Sequence, residues 1–228
     1  MDLPNHSQRI SIMGATGSGK TRAAMWHLSM RPLASKIWVV LNHKGEEMID
    51  SIEGANHVGL EETPKRPGIY VYHPIPDVDD DEVTNLMWRM HARENMGLYI
   101  DEGYMIDPFN PALNALYTQG RSKHIPMVTL TQRPVFCSRF AISEADFLQV
   151  FRLQDDRDRK TVDGFIPTKL NNWFSAEANT PSKVPPFHSL YYNVAKNKLM
   201  ICKPVPSDET ILNTIEGKIK NQRKTYFL

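Results

Sequence analysis

Strands alternating with helices along most of the chain predict an α/β fold, a mostly parallel sheet with helices on both faces. Three observations carry this. Apolar or β-branched runs of strand length recur at residues 10–13, 36–41, 69–72, 97–102, 125–131 and 148–153. Helix-forming stretches at 22–28, 81–94 and 110–120 separate several of them, and polar groups stand where three of the strands end. With 228 residues the chain suits a single α/β domain, a core at about 7–165 and a C-terminal extension at 166–228.

The elements follow in order. Ile10-Ser11-Ile12-Met13 reads as a buried first strand, and the helix former Arg22-Ala23-Ala24-Met25-Trp26-His27-Leu28 follows a glycine-rich loop. The second strand, 36–41, stops at the turn signal Asn42-His43-Lys44-Gly45. Glycines and prolines break residues 50–68 into a loop with one short piece inside it, before a strand at 69–72. The acidic run from Asp77 to Glu82 opens a helix, where carboxylates favour the positive dipole end, and Val83, Leu86, Met87 and Met90 supply its core-facing stripe. Strands at 97–102, 125–131 and 148–153 complete the core; Pro126 is tolerable near a strand start. Beyond residue 165, prolines 167, 181, 185 and 186 punctuate the chain, and the runs 189–193 and 198–202 predict a β-hairpin joined to the sheet or its margin.

Bulk properties exclude several classes. A formal net charge of +1 rules out a polycation that coats nucleic acid, so any such contact is local. The C-terminal basic run, Lys218, Lys220, Arg223 and Lys224, reads as a solvated helix face. Cys137 and Cys202 are too few and too isolated for a disulfide framework or zinc site, and the eight histidines are scattered, so no metal beyond a nucleotide-bound Mg²⁺ is expected. No apolar run reaches the ~20 residues of a transmembrane helix, and the N-terminus has no hydrophobic signal core.

The chemistry lies at the strand ends, where ligands of open α/β sheets collect. Gly14-Ala15-Thr16-Gly17-Ser18-Gly19-Lys20-Thr21 satisfies GxxxxGK[ST] at every fixed position. Its glycines let backbone N–H groups turn inward on phosphate, Lys20 reaches the β and γ oxygens, and Thr21 is placed to ligate Mg²⁺. The second tip is Asp101-Glu102: Asp101 is expected to hold Mg²⁺ and Glu102 to activate water. A glutamate in that place implies hydrolysis. The third is Gln132, an amide suited to sensing the γ-phosphate or orienting water. Arg121, in the loop before that strand, cannot easily reach its own phosphate loop and is the candidate arginine finger for a neighbouring subunit, a role open also to Arg133 and Arg139.

With phosphate loop, acid pair and the stretch from Gly120-Arg121 to Gln132-Arg133-Pro134 in this order, residues 7–155 resemble the FtsK/HerA superfamily of P-loop ATPases, of the ASCE or RecA-like kind. The likeness extends to the small genome-packaging ATPases of tailless icosahedral viruses with an internal membrane. The resemblance implies a homo-oligomeric ring, a pentamer or hexamer, that hydrolyses ATP between subunits and drives double-stranded DNA through its centre. It further implies a viral capsid vertex or portal protein as dock, and a location in the host cytoplasm or at the packaging vertex. Larger members carry a membrane anchor, winged helix or N-terminal barrel with no counterpart in these residues. DNA would be gripped through its phosphates by pore loops, with Lys44 and the pair Lys65-Arg66 as candidates.

Three other readings use the same loop. A filamentous-phage morphogenesis ATPase would extrude DNA through a membrane and usually carries a transmembrane helix. A small-molecule kinase suits the modest charge but has no need of Glu102. A non-catalytic nucleotide-binding assembly protein would leave the catalytic positions without purpose.

Overall fold

The computed structural model describes residues 2–175 and 182–225, with side chains through residue 221. The chain runs β1 (Ile10–Met13), α1 (Lys20–Ser29), β2 (Ile37–Asn42), α2 (Glu47–Asp50), β3 (Asn56–His57), β4 (Gly68–Tyr72), α3 (Asp80–Arg93), β5 (Met96–Asp101), α4 (Pro111–Gln119), β6 (Met127–Thr131), α5 (Phe140–Ser143), β7 (Phe147–Val150), α6 (Asp156–Asp163), β8 (Ser189–Asn193), β9 (Lys198–Cys202) and α7 (Asp208–Thr225).

The described strands form one sheet in the order β3-β4-β2-β5-β6-β1-β7-β8-β9. Pairing is parallel from β3 through β7, and the hairpin β8–β9 adds two antiparallel strands beyond β7. Since β6 stands between β1 and β5, its tip falls between the phosphate loop and the acid pair. That placement builds the site.

Strand alternation sends side chains to two apolar layers. Trp38 and Val40 of β2 join Ile10, Ile12, Val128 and Leu130 under α1 and α7. Val39 and Leu41, one residue out of phase, join Leu98, Ile100 and Met127 under α3 and α4. Gly97 has no room for a side chain, because a Cβ there would stand 2.5 Å from the indole of Trp38, its neighbour on β2.

Several details differ from the sequence expectation. Strand β7 ends at Val150, and the residues after it leave the sheet to run beside the phosphate loop, where Arg152 O accepts from Ala15 N (2.9 Å). Asp79 and Asp80 accept from Ile75 N and Asp77 N, so they brace the turn entering α3 rather than its first helical N–H groups. The C-terminal basic run belongs to α7, whose Ile211, Ile215 and Ile219 are buried against the α1 face. Lys218 Nζ donates to Ser29 O (2.6 Å) and Arg31 O (3.0 Å) at the end of α1, and Lys220 pairs with Glu53 (2.9 Å). Lys218 thus fastens the helix to α1 instead of facing solvent freely, whereas Lys220 stays exposed on the solvated face; the side chains of Arg223 and Lys224 lie outside the described residues. No helix among the described residues is long and apolar enough to cross a membrane.

Candidate functional site

Strand β1 delivers the glycine loop, and its backbone explains its glycines. Gly17 (φ 73°) and Gly19 (φ 96°) occupy the left-handed region that side chains disfavour. Gly14 is required by crowding, since a Cβ would stand 2.6 Å from Phe151 Cβ and 2.7 Å from Ser18 Oγ. The turn opens directly onto α1, whose first residue is Lys20, so the free N–H groups of the helix end and its positive dipole face the loop.

The two adjacent acids on the tip of β5 face different surroundings. Asp101 is 1% exposed, and its Oδ2 has no hydrogen-bond partner among the described residues. Burial, reinforced by the neighbouring Glu102 and Glu46 carboxylates, pushes its carboxyl up to about 7 despite Lys20 and Lys44 nearby. A buried carboxylate oxygen lacking a donor, beside a phosphate loop, suits a divalent cation: an ion would relieve the cost of its charge. Glu102 lies just past the strand with φ 65°, and that turn swings its carboxylate back toward the loop. There Oε1 meets Lys44 Nζ (2.6 Å) and Lys20 Nζ (3.2 Å), and Oε2 accepts from Gln132 N (3.1 Å).

Gln132 closes the arrangement. Its amide oxygen accepts from Thr16 Oγ1 in the phosphate loop, and its Nε2 donates to Tyr104 Oη (3.1 Å). Phosphate loop, Glu102 and Gln132 thus form one hydrogen-bonded group, with Asp101 beside it at the tip of β5. The pore candidate Lys44 is bound to that group through Glu102, whereas Lys65 and Arg66 are exposed on the surface.

The three candidate finger arginines are unequal. Arg133 is tied to Asp158 (2.8 Å) and lies over the ring of Phe136 (4.8 Å), and Arg139 lies over Phe165 (5.1 Å). Arg121 has a side chain 71% exposed, with a loose ion pair to Asp146 at 3.8 Å. It precedes β6 whereas Gln132 follows it, so the length of that strand, roughly 16 Å for five residues, separates the two.

Two features were not expected from sequence. A cavity of about 720 Å³ opens beside the phosphate loop, walled by Phe151, Phe174, Pro185, Pro186 and Phe187. Prolines and aromatics in the extension were its signal in the sequence, but nothing there indicated that they fold against the loop. The second is a cluster of potential ligand atoms from residues the sequence showed only as scattered: those of Asp50, His57 and His73 all lie within 4.8 Å of one another.

The fold and this site define a P-loop ATPase of α/β architecture. The genome packaging NTPase B204 of Sulfolobus turreted icosahedral virus 2, solved in complex with AMPPCP, superposes with a TM-score of 0.65 at 17% identity, covering 89% of this chain and all of that one. ATPases 2 and 3 of EssC from Geobacillus thermodenitrificans give 0.58 at 12% identity, over 96% of this chain and 44% of theirs. No family model matches. In sequence the chain is 55% identical over 221 residues to the DNA packaging ATPase P9 of Enterobacteria phage PRD1, covering 96% of this chain and 97% of that protein. It belongs to the family of that viral packaging ATPase.

Proposed function

We propose that the chain is the ATP-hydrolysing subunit of a viral genome-packaging motor that moves double-stranded DNA without regard to sequence. The reading rests on kinship to a packaging ATPase and on one observation, the bonding of Glu102 to both Lys20 and Gln132 beside the phosphate loop.

In this reading residues 14–19 cradle the phosphates of ATP through backbone N–H groups, Lys20 binds the β and γ oxygens, and the apolar cavity takes the base. Thr21 and Asp101 hold Mg²⁺, which supplies charge neutralisation on the phosphate oxygens when bound. Binding of phosphate draws Lys20 away from Glu102, freeing that carboxylate to take a proton from the attacking water. Lys44 and Gln132 N keep its position. The side-chain amide of Gln132 exchanges its Thr16 contact for the water or the γ-phosphate, and so reports nucleotide state to β6.

Arg121 stands too far from its own loop to act there, and its exposed guanidinium is released from Asp146 at little cost, since exposed ion pairs contribute about 0–1 kcal/mol. It serves the site of the neighbouring subunit, in a ring of five or six that encloses the duplex and docks on a capsid vertex or portal protein. Lys65 and Arg66 are the remaining grip candidates. The motor works in the host cytoplasm or at the packaging vertex.

Mixing two inactive variants tests the arrangement. Arg121→Ala keeps a complete pocket without a finger, and Glu102→Gln keeps the finger beside a dead pocket. Each alone is expected to lose DNA-stimulated phosphate release, while mixed assemblies recover part of it where an intact pocket meets an intact Arg121. Absence of recovery would remove Arg121 from the role. Images of the Glu102→Gln protein with DNA and ATP are expected to show a ring around a duplex; transfer of phosphate to a small acceptor by a ringless protein would establish a kinase instead.

A further inference from the structure

Asp50 ends α2, His57 ends β3 and His73 directly follows β4, so the ends of three elements come together at the same edge of the sheet. We infer that Asp50, His57 and His73 form a binding site for a divalent transition-metal ion of the zinc type, separate from the nucleotide pocket.

The distances carry the inference. His57 Nδ1 lies 3.4 Å from His73 Nε2, and His73 Nε2 lies 3.3 Å from Asp50 Oδ1. Ligands about 2.0–2.1 Å from a tetrahedral zinc ion stand roughly 3.3–3.4 Å from one another, so two edges of the tetrahedron are already set. The third, between His57 and Asp50, is within 4.8 Å. The two imidazoles are nearly parallel, 7° apart with centroids at 5.7 Å, so that His57 Nδ1 and His73 Nε2 face one another, and a rotation of each ring would aim both lone pairs at a single ion.

The supporting shell has the character of a ligand site. Asp50 Oδ1 accepts from Asn42 Nδ2 (2.9 Å), and buried Asn42 is fixed in turn by Glu46 N donating to its Oδ1 (2.8 Å). Such a contact orients a metal-binding carboxylate. Parallel pairing of β3 with β4 places His57 opposite Val71, so the spacing of the histidines is set by the sheet rather than by a free loop. Two neutral imidazoles and one carboxylate favour zinc, cobalt or nickel over the hard ions Mg²⁺ and Ca²⁺, and three protein ligands leave a coordination position for water or a partner's group.

An ion there would tie α2 to the edge strands. The segment it fastens begins at Lys44 and Glu46, next to Glu102 and Asp101, so occupancy would also stiffen one wall of the nucleotide pocket.

Co²⁺ titration of chelator-stripped, nucleotide-free protein tests the site by calorimetry and visible absorption. One equivalent is expected to bind with the spectrum of tetrahedral cobalt, to be displaced by Zn²⁺, and to raise the melting temperature by about 5 °C at a hundredfold excess over Kd. His57→Ala and His73→Ala are each expected to weaken binding at least about tenfold, with His73→Gln as a milder second variant, while Asp101→Asn and His6→Ala bind as the parent does. All three ligands lie on the surface, so retained circular dichroism in the variants is expected. Absence of a saturable equivalent, binding that survives both alanine substitutions, or loss in Asp101→Asn would each overturn the assignment.

Discussion

The two edges of the parallel sheet have opposite chemistry. At the edge where the strands begin, buried cations end on backbone carbonyls: the Arg31 guanidinium donates to the carbonyls of Pro4, Asn5 and Gln8, that of Arg9 to Tyr117 O, and Lys36 Nζ to His124 O. At the edge where they end, buried carboxylates face a glycine turn, and Asp101 keeps an oxygen with no donor. Helices in a parallel α/β unit run against the strands, so their carbonyl ends gather at the first edge and their N–H ends at the second. The first is therefore suited to protein cations, which bond there to main-chain oxygens while Arg9 Nε and Arg31 Nε keep no hydrogen-bond partner among the described residues. The second is suited to anionic ligands and their ions, and the protein alone does not complete it.

Substitutions at the two edges should separate turnover from stability. The largest effect is expected from Glu102→Gln, which should bind ATP as before and lower DNA-stimulated turnover by about 10²–10⁴-fold, measured by phosphate release and nucleotide titration. Unchanged turnover would remove Glu102 from catalysis. Arg31→Met is the counterpart: with three carbonyls losing the guanidinium, of which Asn5 O keeps Gln8 N, it should destabilise the fold by about 3 kcal/mol in urea, with nucleotide affinity in the surviving folded protein unchanged.

A smaller effect of opposite sign is expected from Asp101→Asn. With the carboxyl at about 7 in the folded protein against 3.8 unfolded, the native state binds the extra proton between those values, so the parent loses stability as pH rises through that window. Nucleotide-free Asp101→Asn should therefore be more stable than the parent by about 2 kcal/mol at pH 8, with the gap closing toward pH 4. MgATP should narrow that gap at pH 8 by stabilising the parent, and a gap insensitive to both pH and MgATP would refute the account. Smallest of the four, Lys218→Met should cost about 1 kcal/mol by taking the Lys218 donor from Ser29 O and leaving Arg31 O with Leu33 N alone, with no change in hydrolysis.

What was legible in the residues follows from how local each signal is. The phosphate loop and the Asp101-Glu102 pair are contiguous, and Gln132 ends an apolar run, so position along the chain already implied their place on the sheet. The two-strand extension was legible in the paired runs around 194–197, where Lys196 N now donates to Asn193 Oδ1 (3.1 Å) in the turn. Helix α7 left a trace in Ile211, Ile215 and Ile219, four residues apart, but Lys218 lies between the last two, and what it binds depends on the end of α1. The short α2, β3 and α6 have too few residues for a periodic pattern to stand out.

Composition and order of residues alone determined that this chain would fold as an α/β sheet with a triphosphate loop, an acid pair and an amide on three strand ends, because each is a short pattern whose meaning is set by its immediate neighbours. Tertiary structure alone decided which strand ends meet: the insertion of β6 between β1 and β5, the folding of Phe174 and Phe187 beside the loop, the capture of Glu102 by Lys44, and the approach of His57 to His73. The physical reason is that strand order is chosen by burial of two whole apolar faces. That choice is made over the entire chain, and no local run of residues records it.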